Sequence, residues 1–189
     1  AMAAAAAAAG LPLEQVEVHK MMLGGGFGRR GGPQDFVTQG VTIARALPGV
    51  PVKLMWSREE DMQHGFYRPV SIVTMKAGLD AQGKLVALHT RIACPSILKV
   101  LMPGALKGGI DFTAVRAFND MPYVVANQQV DYALRNGHVP VGFWRAPGQQ
   151  NSFYRESFVD ELAAAAGQDP LAYRLAMLKA DDKNRLVLE

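Results

Sequence analysis

A glycine-rich stretch at residues 24–30, Gly-Gly-Gly-Phe-Gly-Arg-Arg, restricts what this chain can fold into more than any other feature. Three consecutive glycines let the backbone turn sharply, adopt positive φ and come close to a ligand, because no Cβ atoms stand in the way. Phe27 lies among the glycines, and two arginines follow it. Each guanidinium is a planar donor suited to phosphate groups. We therefore predict a loop that lays backbone and positive charge against a flat, anionic ligand.

The same stretch supports a rival interpretation as a nucleotide-binding turn. Residues 26–31 match the pattern G-x-G-x-x-G, which follows a strand and opens a helix in dinucleotide-binding folds. An apolar run at residues 16–23 predicts the strand, but the helix that Pro33 begins comes after the third glycine. The acidic residue expected about 20 positions further on is missing from the second predicted strand, residues 50–56. An NADP-binding module stays an alternative, beside a simple tight turn with solvated arginines.

A second candidate site lies at residues 142–148, Gly-Phe-Trp-Arg-Ala-Pro-Gly, just before a predicted helix. Backbone N–H groups at a helix N-terminus, together with a fixed arginine, can hold a polar ligand. The alternative is an ordinary loop whose aromatic rings fill the core. The motif alone supports both interpretations equally.

Changes of period along the chain predict an α+β fold. The predicted elements, in order, are a helix at residues 1–9 (or a disordered tail), a strand at 16–23, a helix at 33–47, a strand at 50–56, a short helix after Ser57, a β-hairpin at 70–97 with its turn at 80–83, a loop at 95–111, a short helix within 110–118, a strand at 123–134, and helices at 149–166 and from 169. Because helices and strands partly segregate, we expect a mixed sheet with a β-loop-α-β start, a hairpin and C-terminal helices.

Charge and residue usage argue against several classes of protein. The net charge of +3 comes from 20 basic and 17 acidic residues, which is too balanced for a nucleic-acid binder. Cys94 is the single cysteine, so it forms no internal disulfide, and its apolar surroundings indicate a buried structural thiol. The four histidines lie in unrelated predicted elements, so we expect no metal site made by this chain. No membrane span or signal peptide is visible, and we expect the chain to be a piece of a larger subunit.

Together the motifs resemble one family. The strings at residues 24–30 and 142–148, followed by Glu-Ser-Phe-Val-Asp-Glu-Leu at 156–162, are similar to the molybdenum-binding subunits of the xanthine dehydrogenase and aldehyde oxidase family. The similarity covers residues 10–178 and is greatest to the isoquinoline 1-oxidoreductase β-subunit and membrane-associated aldehyde dehydrogenase branch. The resemblance implies part of a molybdopterin-binding domain at residues 1–178. We expect two subdomains in it, residues 1–66 and 67–178, and an incomplete end at residues 179–189.

The resemblance also implies an activity and its cofactors. Enzymes of this family hydroxylate a carbon of an aldehyde or N-heterocycle with oxygen from water, so the chain would be part of a molybdopterin-dependent oxidoreductase and inactive alone. The implied cofactors are molybdenum-molybdopterin cytosine dinucleotide and, in a small iron–sulfur partner subunit, [2Fe-2S] clusters. Further implied partners are the remainder of the catalytic subunit, a cytochrome c subunit and a small-molecule substrate. The implied location is the periplasm or the periplasmic face of the inner membrane, with the cytoplasm as the alternative. A non-catalytic assembly domain stays a further alternative.

The resemblance assigns cofactor-binding residues but no catalytic one. The cofactor-binding residues are Gly25, Gly26, Phe27, Gly28, Arg29, Arg145 and Ala146. Phe27 would shape the pocket near the metal, and we infer that Arg29 lies near the cofactor's anionic groups. The family's general base is a glutamate far downstream in a glycine-rich context, and this chain has no such motif. Xanthine-type enzymes have a substrate-binding arginine in the region that corresponds to residues 109–111. This chain has Gly-Ile-Asp there, which disfavours a purine substrate.

Overall fold

The computed structural model describes residues 1–32, 34–143 and 149–189, and the chain divides into two compact units. The first contains residues 1–67 and the segment that begins at Gly142; the second contains residues 68–141 and the C-terminal helices. The elements are α1 (Met2–Ala9), α2 (Asp35–Ala46), α3 (Arg58–Gln63), β1 (Ile72–Leu79), β2 (Leu85–Cys94), α4 (Ile97–Leu101), α5 (Phe112–Val115), β3 (Asn127–Leu134), α6 (Gln149–Ala165), α7 (Pro170–Met177) and α8 (Lys183–Leu188).

The helices α1 and α2 pack against each other in the first unit. Alanine is the best helix former, and the alanine run forms α1, which ends where Gly10 takes a left-handed φ of 67°. Ala5 and Ala6 are buried, and Arg45 of α2 donates from Nη1 to the carbonyl oxygen of Ala8 at 3.0 Å. The predicted N-terminal helix is confirmed.

The two strands predicted in the first unit, residues 16–23 and 50–56, are wrong as strands, because neither segment forms regular secondary structure. In residues 50–56 the period of two is real: Leu54 and Trp56 are half-buried, whereas Met55 between them is 73% exposed. A strand also needs a neighbour that accepts its hydrogen bonds. Within the ranges that the structure describes, neither segment has such a neighbour. The pattern thus predicted extended backbone correctly but could not supply the partner.

A three-stranded sheet in the order β1-β2-β3 is the framework of the second unit. β1 and β2 pair antiparallel, whereas β2 and β3 pair parallel. The hairpin turns at Asp80, whose Oδ1 accepts the N–H groups of Gln82 at 3.0 Å and Lys84 at 2.9 Å. Gly83 provides the left-handed residue, with φ 79°. The predicted hairpin and the α+β class with a mixed sheet are confirmed.

Two hydrophobic clusters join this sheet to the helices. One connects the start of β2 with α6 and α7, and the other connects the end of β2 with α5. The buried members of the first are Leu85, Tyr123, Val159, Leu162, Ala163, Tyr173, Met177 and Leu178, and those of the second are Ile92, Cys94, Val115 and Phe118. Cys94 is therefore a buried thiol in β2, as its surroundings indicated.

The structure shows two helices that the sequence pattern did not predict. The loop predicted at residues 95–111 contains α4, and residues 179–189, for which no element was predicted, contain α8. Both helices are short and begin at side-chain caps: Ser96 Oγ accepts the N–H of Lys99, and Asp182 accepts the N–H of Asn184. Such helices are set by their caps more than by an apolar period, which is why the pattern did not reveal them.

A buried carboxylate fixes the connection between β2 and α5. Asp111 is 0% exposed. Its Oδ2 accepts the hydroxyl of Ser96 at 2.7 Å and the N–H of Leu98 at 3.0 Å, and its Oδ1 accepts the N–H and the hydroxyl of Thr113 at 2.8 and 2.6 Å. Burial opposes ionisation, but these hydrogen bonds outweigh it and hold the pKa of Asp111 below its ordinary value of 3.8. One side chain thereby caps α5 and anchors α4.

We expect Asp111→Asn to lower the free energy of unfolding by about 2–3 kcal/mol at pH 7, because an amide leaves donors such as the Leu98 N–H facing another N–H. Because the folded pKa of Asp111 is depressed, its contribution is present above pH 3.8 and is lost as the pH falls through the folded value. Urea unfolding should therefore show the difference from wild type shrinking below pH 3.8. The exposed Asp181→Asn is the control, and equal losses in both variants would contradict the argument.

Candidate functional site

Residues 26–29 form a tight turn at the centre of the first motif. The N–H of Arg29 donates to the carbonyl oxygen of Gly26 at 2.8 Å. The two central residues both have positive φ, 48° at Phe27 and 87° at Gly28, which is the arrangement of a type I′ turn. A short 3-10 turn, Arg29–Gly31, follows. The left-handed backbone at position 28 therefore favours a glycine there.

The residues before the turn leave the loop open on one side. A Cβ atom built on Gly25, which has φ 155°, would lie 2.8 Å from Cε2 of Phe27, so a side chain there would strain the backbone and displace the ring of Phe27. Gly24 and Gly25 are exposed, and Phe27 is 65% exposed. The loop thus presents bare backbone and one aromatic ring, which suits contact with a flat ligand.

Arg29 is enclosed by a carboxylate and three aromatic rings. Its Nη2 donates to Oδ1 and Oδ2 of Asp35 at 2.7 and 2.5 Å, and its side chain is only 19% exposed. Its Cζ lies 5.9, 5.4 and 5.3 Å from the ring centroids of Phe36, Trp56 and Phe66, within the range of cation–π attraction. Contact between Arg29 and an anionic ligand stays a prediction, but its charge is already matched by Asp35.

The neighbouring Arg30 is placed differently. It is exposed, and its Cζ lies 5.1 Å from the ring centroid of Phe36. Among the residues with a described position, no carboxylate oxygen lies within ion-pair distance of it. The positive charge that the loop offers to a ligand is therefore that of Arg30.

The second motif is described only at its first two residues, Gly142 and Phe143. Arg145 and Ala146 lie outside the described residues, so their assignment to a cofactor stays a prediction. The N–H of Gly142 donates to the carbonyl oxygen of Tyr67 at 3.0 Å. A Cβ atom on Gly142 would lie 2.6 Å from Cβ of Phe66, so a glycine is required there as well.

Four residues around Arg29 were not identified as site residues from the sequence: Asp35, Phe36, Trp56 and Phe66. An acidic residue in the first turn of a helix is a recognisable signal, and Asp35 could have been found by it. Trp56 and Phe66 carry no such signal, because they follow different elements and meet only in the folded chain.

The third string that carries the family resemblance, residues 156–162, holds α6 to α7. Glu156 accepts the hydroxyl of Tyr123 at 2.7 Å and Nε of Arg174 at 3.0 Å, and Asp160 accepts Nη1 of Arg174 at 2.6 Å. Burial, reinforced by Glu156, raises the pKa of Tyr123 to about 12, so its hydroxyl stays a donor. This string therefore has a structural role in the second unit.

Several other kinds of site can be assessed in the parts that the structure describes. No strand occurs in the described residues of the first unit, so the βαβ arrangement of a dinucleotide-binding turn is not formed there. No group of three or more His, Cys, Asp or Glu side chains within residues 1–32, 34–143 and 149–189 is placed to hold a metal ion. Over the same ranges no helix is long and apolar enough to cross a membrane.

An open cavity of about 670 Å³ lies in the second unit. Its charged lining comprises Arg116, Asp120, Arg155, Asp181, Asp182 and Lys183. Nε of Arg116 lies 3.7 Å from Oδ2 of Asp120, so part of this charge is matched within the wall. Mixed signs give little net attraction for an anionic ligand, and the glycine loop is the better candidate.

Comparison with known proteins places these features in a family context. The family model described as "Molybdopterin cofactor-binding domain" matches residues 1–178. The chain is 30% identical over 187 residues to the β-subunit of an isoquinoline 1-oxidoreductase from Brevundimonas diminuta, covering 97% of this chain and 24% of that protein. It is also 30% identical over 167 residues to the molybdenum-binding subunit of an aldehyde oxidoreductase from Escherichia coli K12, covering 87% and 21%. The predicted family resemblance is confirmed, and the chain spans about a quarter of the length of the first of these relatives.

Solved structures agree on the fold. Quinoline 2-oxidoreductase from Pseudomonas putida 86 superposes with a TM-score of 0.72 at 21% identity, covering 97% of this chain and 23% of that one. An aldehyde oxidoreductase from Desulfovibrio gigas gives a TM-score of 0.70 at 22% identity, covering 92% and 19%. At this identity the likeness establishes the fold.

We expect Gly28→Ala to lower the free energy of unfolding of the first unit by about 1–2 kcal/mol, because a Cβ atom penalises left-handed backbone. Gly31→Ala is the matched control, since a Cβ atom there meets nothing within 4 Å and the residue has no positive φ. Thermal unfolding of both variants measures the difference. Equal stability of the two would show that the turn does not depend on its left-handed glycine.

Proposed function

The chain belongs to the molybdopterin cofactor-binding domain family, and from this premise we propose that it forms one wall of the cofactor pocket of a molybdenum hydroxylase. The observation that carries the proposal is the exposed glycine loop, which lies inside the matched residues and has the backbone that such a ligand needs. In the whole enzyme the chain would be part of the catalytic subunit. The reaction would be the oxidation of an aldehyde or an N-heterocycle.

The residues of the loop fit a flat, anionic cofactor. Gly25 and Gly28 keep Cβ atoms away from the turn, and the ring of Phe27 is 65% exposed beside them. Arg30 adds a positive charge without a described carboxylate partner. These features support a loop that approaches the cofactor through its backbone, orients it by the Phe27 ring and attracts its anionic groups.

The single cysteine of the chain, Cys94, also fits a role other than metal ligand. When bound, a molybdopterin supplies its own dithiolene sulfurs to the molybdenum, together with the redox chemistry that hydroxylates the substrate with oxygen from water. The protein therefore needs no cysteine ligand. Burial, followed by the nearby charge of Asp111, raises the pKa of Cys94 to about 11, so this cysteine remains a protonated, structural thiol.

Two loops would share the work of binding. Gly25, Gly26, Phe27 and Gly28 would contact the cofactor from the first motif. Arg145 and Ala146 would contact it from the second, in keeping with N–H groups and an arginine before a helix. We assign no catalytic residue in this chain, and the general base would come from another part of the enzyme.

Membership of the family is the basis for proposing the finer features of the enzyme. We propose molybdopterin cytosine dinucleotide as the cofactor form, and a small iron–sulfur subunit with [2Fe-2S] clusters, the remainder of the catalytic subunit and a cytochrome c subunit as partners. One relative, from Gluconacetobacter polyoxogenes, is named as a membrane-bound aldehyde dehydrogenase. This supports a location in the periplasm or at the periplasmic face of the inner membrane.

Metal analysis of the protein purified with its partners tests the proposal. We expect about one molybdenum atom per chain, because one pterin carries one metal. Titration with NADPH, followed by fluorescence, tests the alternative of a nucleotide-binding module and should give no saturable change. Absence of molybdenum together with saturable NADPH binding would overturn the proposal in favour of that alternative. Absence of both would favour the assembly domain.

The second motif can be tested separately with arginine variants. We expect Arg145→Ala to lower molybdenum occupancy about tenfold, since it removes a donor from the cofactor site. Arg135→Ala is the control, because Arg135 is exposed and its Nη1 contacts only the carbonyl oxygen of Leu134 among the hydrogen bonds described. Occupancy of each purified variant is measured by metal analysis. Equal occupancy in both would make the second motif a loop without a binding role.

A further inference from the structure

The two motifs, more than a hundred residues apart in sequence, meet within the first unit at the ring of Phe66. On one side the guanidinium of Arg29 lies 5.3 Å from the centroid of that ring. On the other side Cβ of Phe66 occupies the space where a side chain on Gly142 would begin, 2.6 Å from the ideal Cβ position. A continuous contact therefore runs from Arg29 of the first motif through Phe66 to Gly142 of the second.

Arg29 is itself held in place by elements that do not belong to either motif. Asp35, in the first turn of α2, accepts two hydrogen bonds from its Nη2. Trp56 lies 5.4 Å away on another side, and its Nε1 donates to Oε1 of Gln39 on α2 at 2.8 Å. The guanidinium is thus tied to α2 both directly and through Trp56. Its position is fixed by the fold of the first unit, without any ligand.

We propose that Arg29 is a positioning residue that sets the glycine loop against the beginning of the second motif, while ligand contact falls to its neighbour Arg30. The inference rests on the proposed function only for the identity of the ligand. The contacts of Arg29 are present in the structure without a ligand. An arginine whose charge is already matched by Asp35 adds little attraction for an anion, but it makes a rigid link between the two loops.

The chemistry of the link requires arginine. A guanidinium is planar, so it can bond a carboxylate and stack on several rings at once, whereas a lysine ammonium is a compact, strongly hydrated charge. The side chain is also only 19% exposed, which leaves little room for the water that an ammonium would keep. Arg29→Lys is therefore expected to behave like Arg29→Ala, although it preserves the charge.

The test measures how fast the molybdenum-loaded enzyme, purified with its partners, loses its metal after dilution into a chelator. We expect Arg29→Ala, Arg29→Lys and Gly142→Ala each to speed the loss about tenfold, the lower end of what supporting residues contribute. Because Arg29 and Gly142 act through one ring, the double variant should lose metal no faster than the faster single variant. If the two residues acted independently on stability, the rate of the double variant would instead rise by the product of the two single-variant increases.

Arg58→Ala is the matched control. Arg58 also pairs with an aspartate, Asp61, at 2.7 Å, but its side chain is 76% exposed. We expect its rate of metal loss to equal that of the wild type. The inference is overturned if Arg29→Ala behaves like Arg58→Ala, if Arg29→Lys restores the wild-type rate, or if the effects of Arg29→Ala and Gly142→Ala multiply.

A second measurement separates this inference from the proposed function. If the wild-type protein holds no molybdenum, the proposed function fails, and the same single and double variants are compared by thermal unfolding. The link between Arg29 and Gly142 then predicts that the two shifts in melting temperature do not add. Additive shifts would overturn the link with or without a cofactor, and failure of any variant to fold is detected in the same scan by loss of its transition.

Discussion

The pairing of Arg29 with Asp35 is the contact on which the arrangement of the first unit depends. A guanidinium that is largely withdrawn from water needs a fixed carboxylate, because an unpaired charge in such a place is costly. Asp35 belongs to α2, and α2 packs on α1. The pair thus ties the glycine loop to two helices that contain none of the residues of either motif.

Local rules predicted those elements whose partners lie close in the sequence. The cap of α3 is an example, since Ser57 accepts the N–H of Glu60 and both residues stand in a recognisable capping pattern. The hairpin turn at Asp80 is another. Elements that depend on distant partners were predicted less well. Residues 16–23 have the composition of a strand, but their sequence does not indicate whether another strand lies beside them.

The candidate site shows the same division. The glycines at positions 25 and 28 could be identified as a loop from sequence, because their role follows from the missing Cβ atom. The different roles of Arg29 and Arg30 could not, since the two residues are chemically identical and adjacent. Only the positions of Asp35 and of the rings show that one arginine is enclosed and that the other is exposed. The link through Phe66 to Gly142 likewise has no sequence pattern.

The backbone of Phe27 carries a consequence for how this loop is maintained. A residue with a side chain in left-handed conformation, here with φ 48°, carries about 1 kcal/mol or more of strain, and a glycine would adopt the same turn without it. The chain thus keeps an aromatic ring at a position where folding alone would prefer none. Local strain of this kind is common at binding sites, and at Phe27 it accompanies the aromatic ring that the loop would present to a flat ligand.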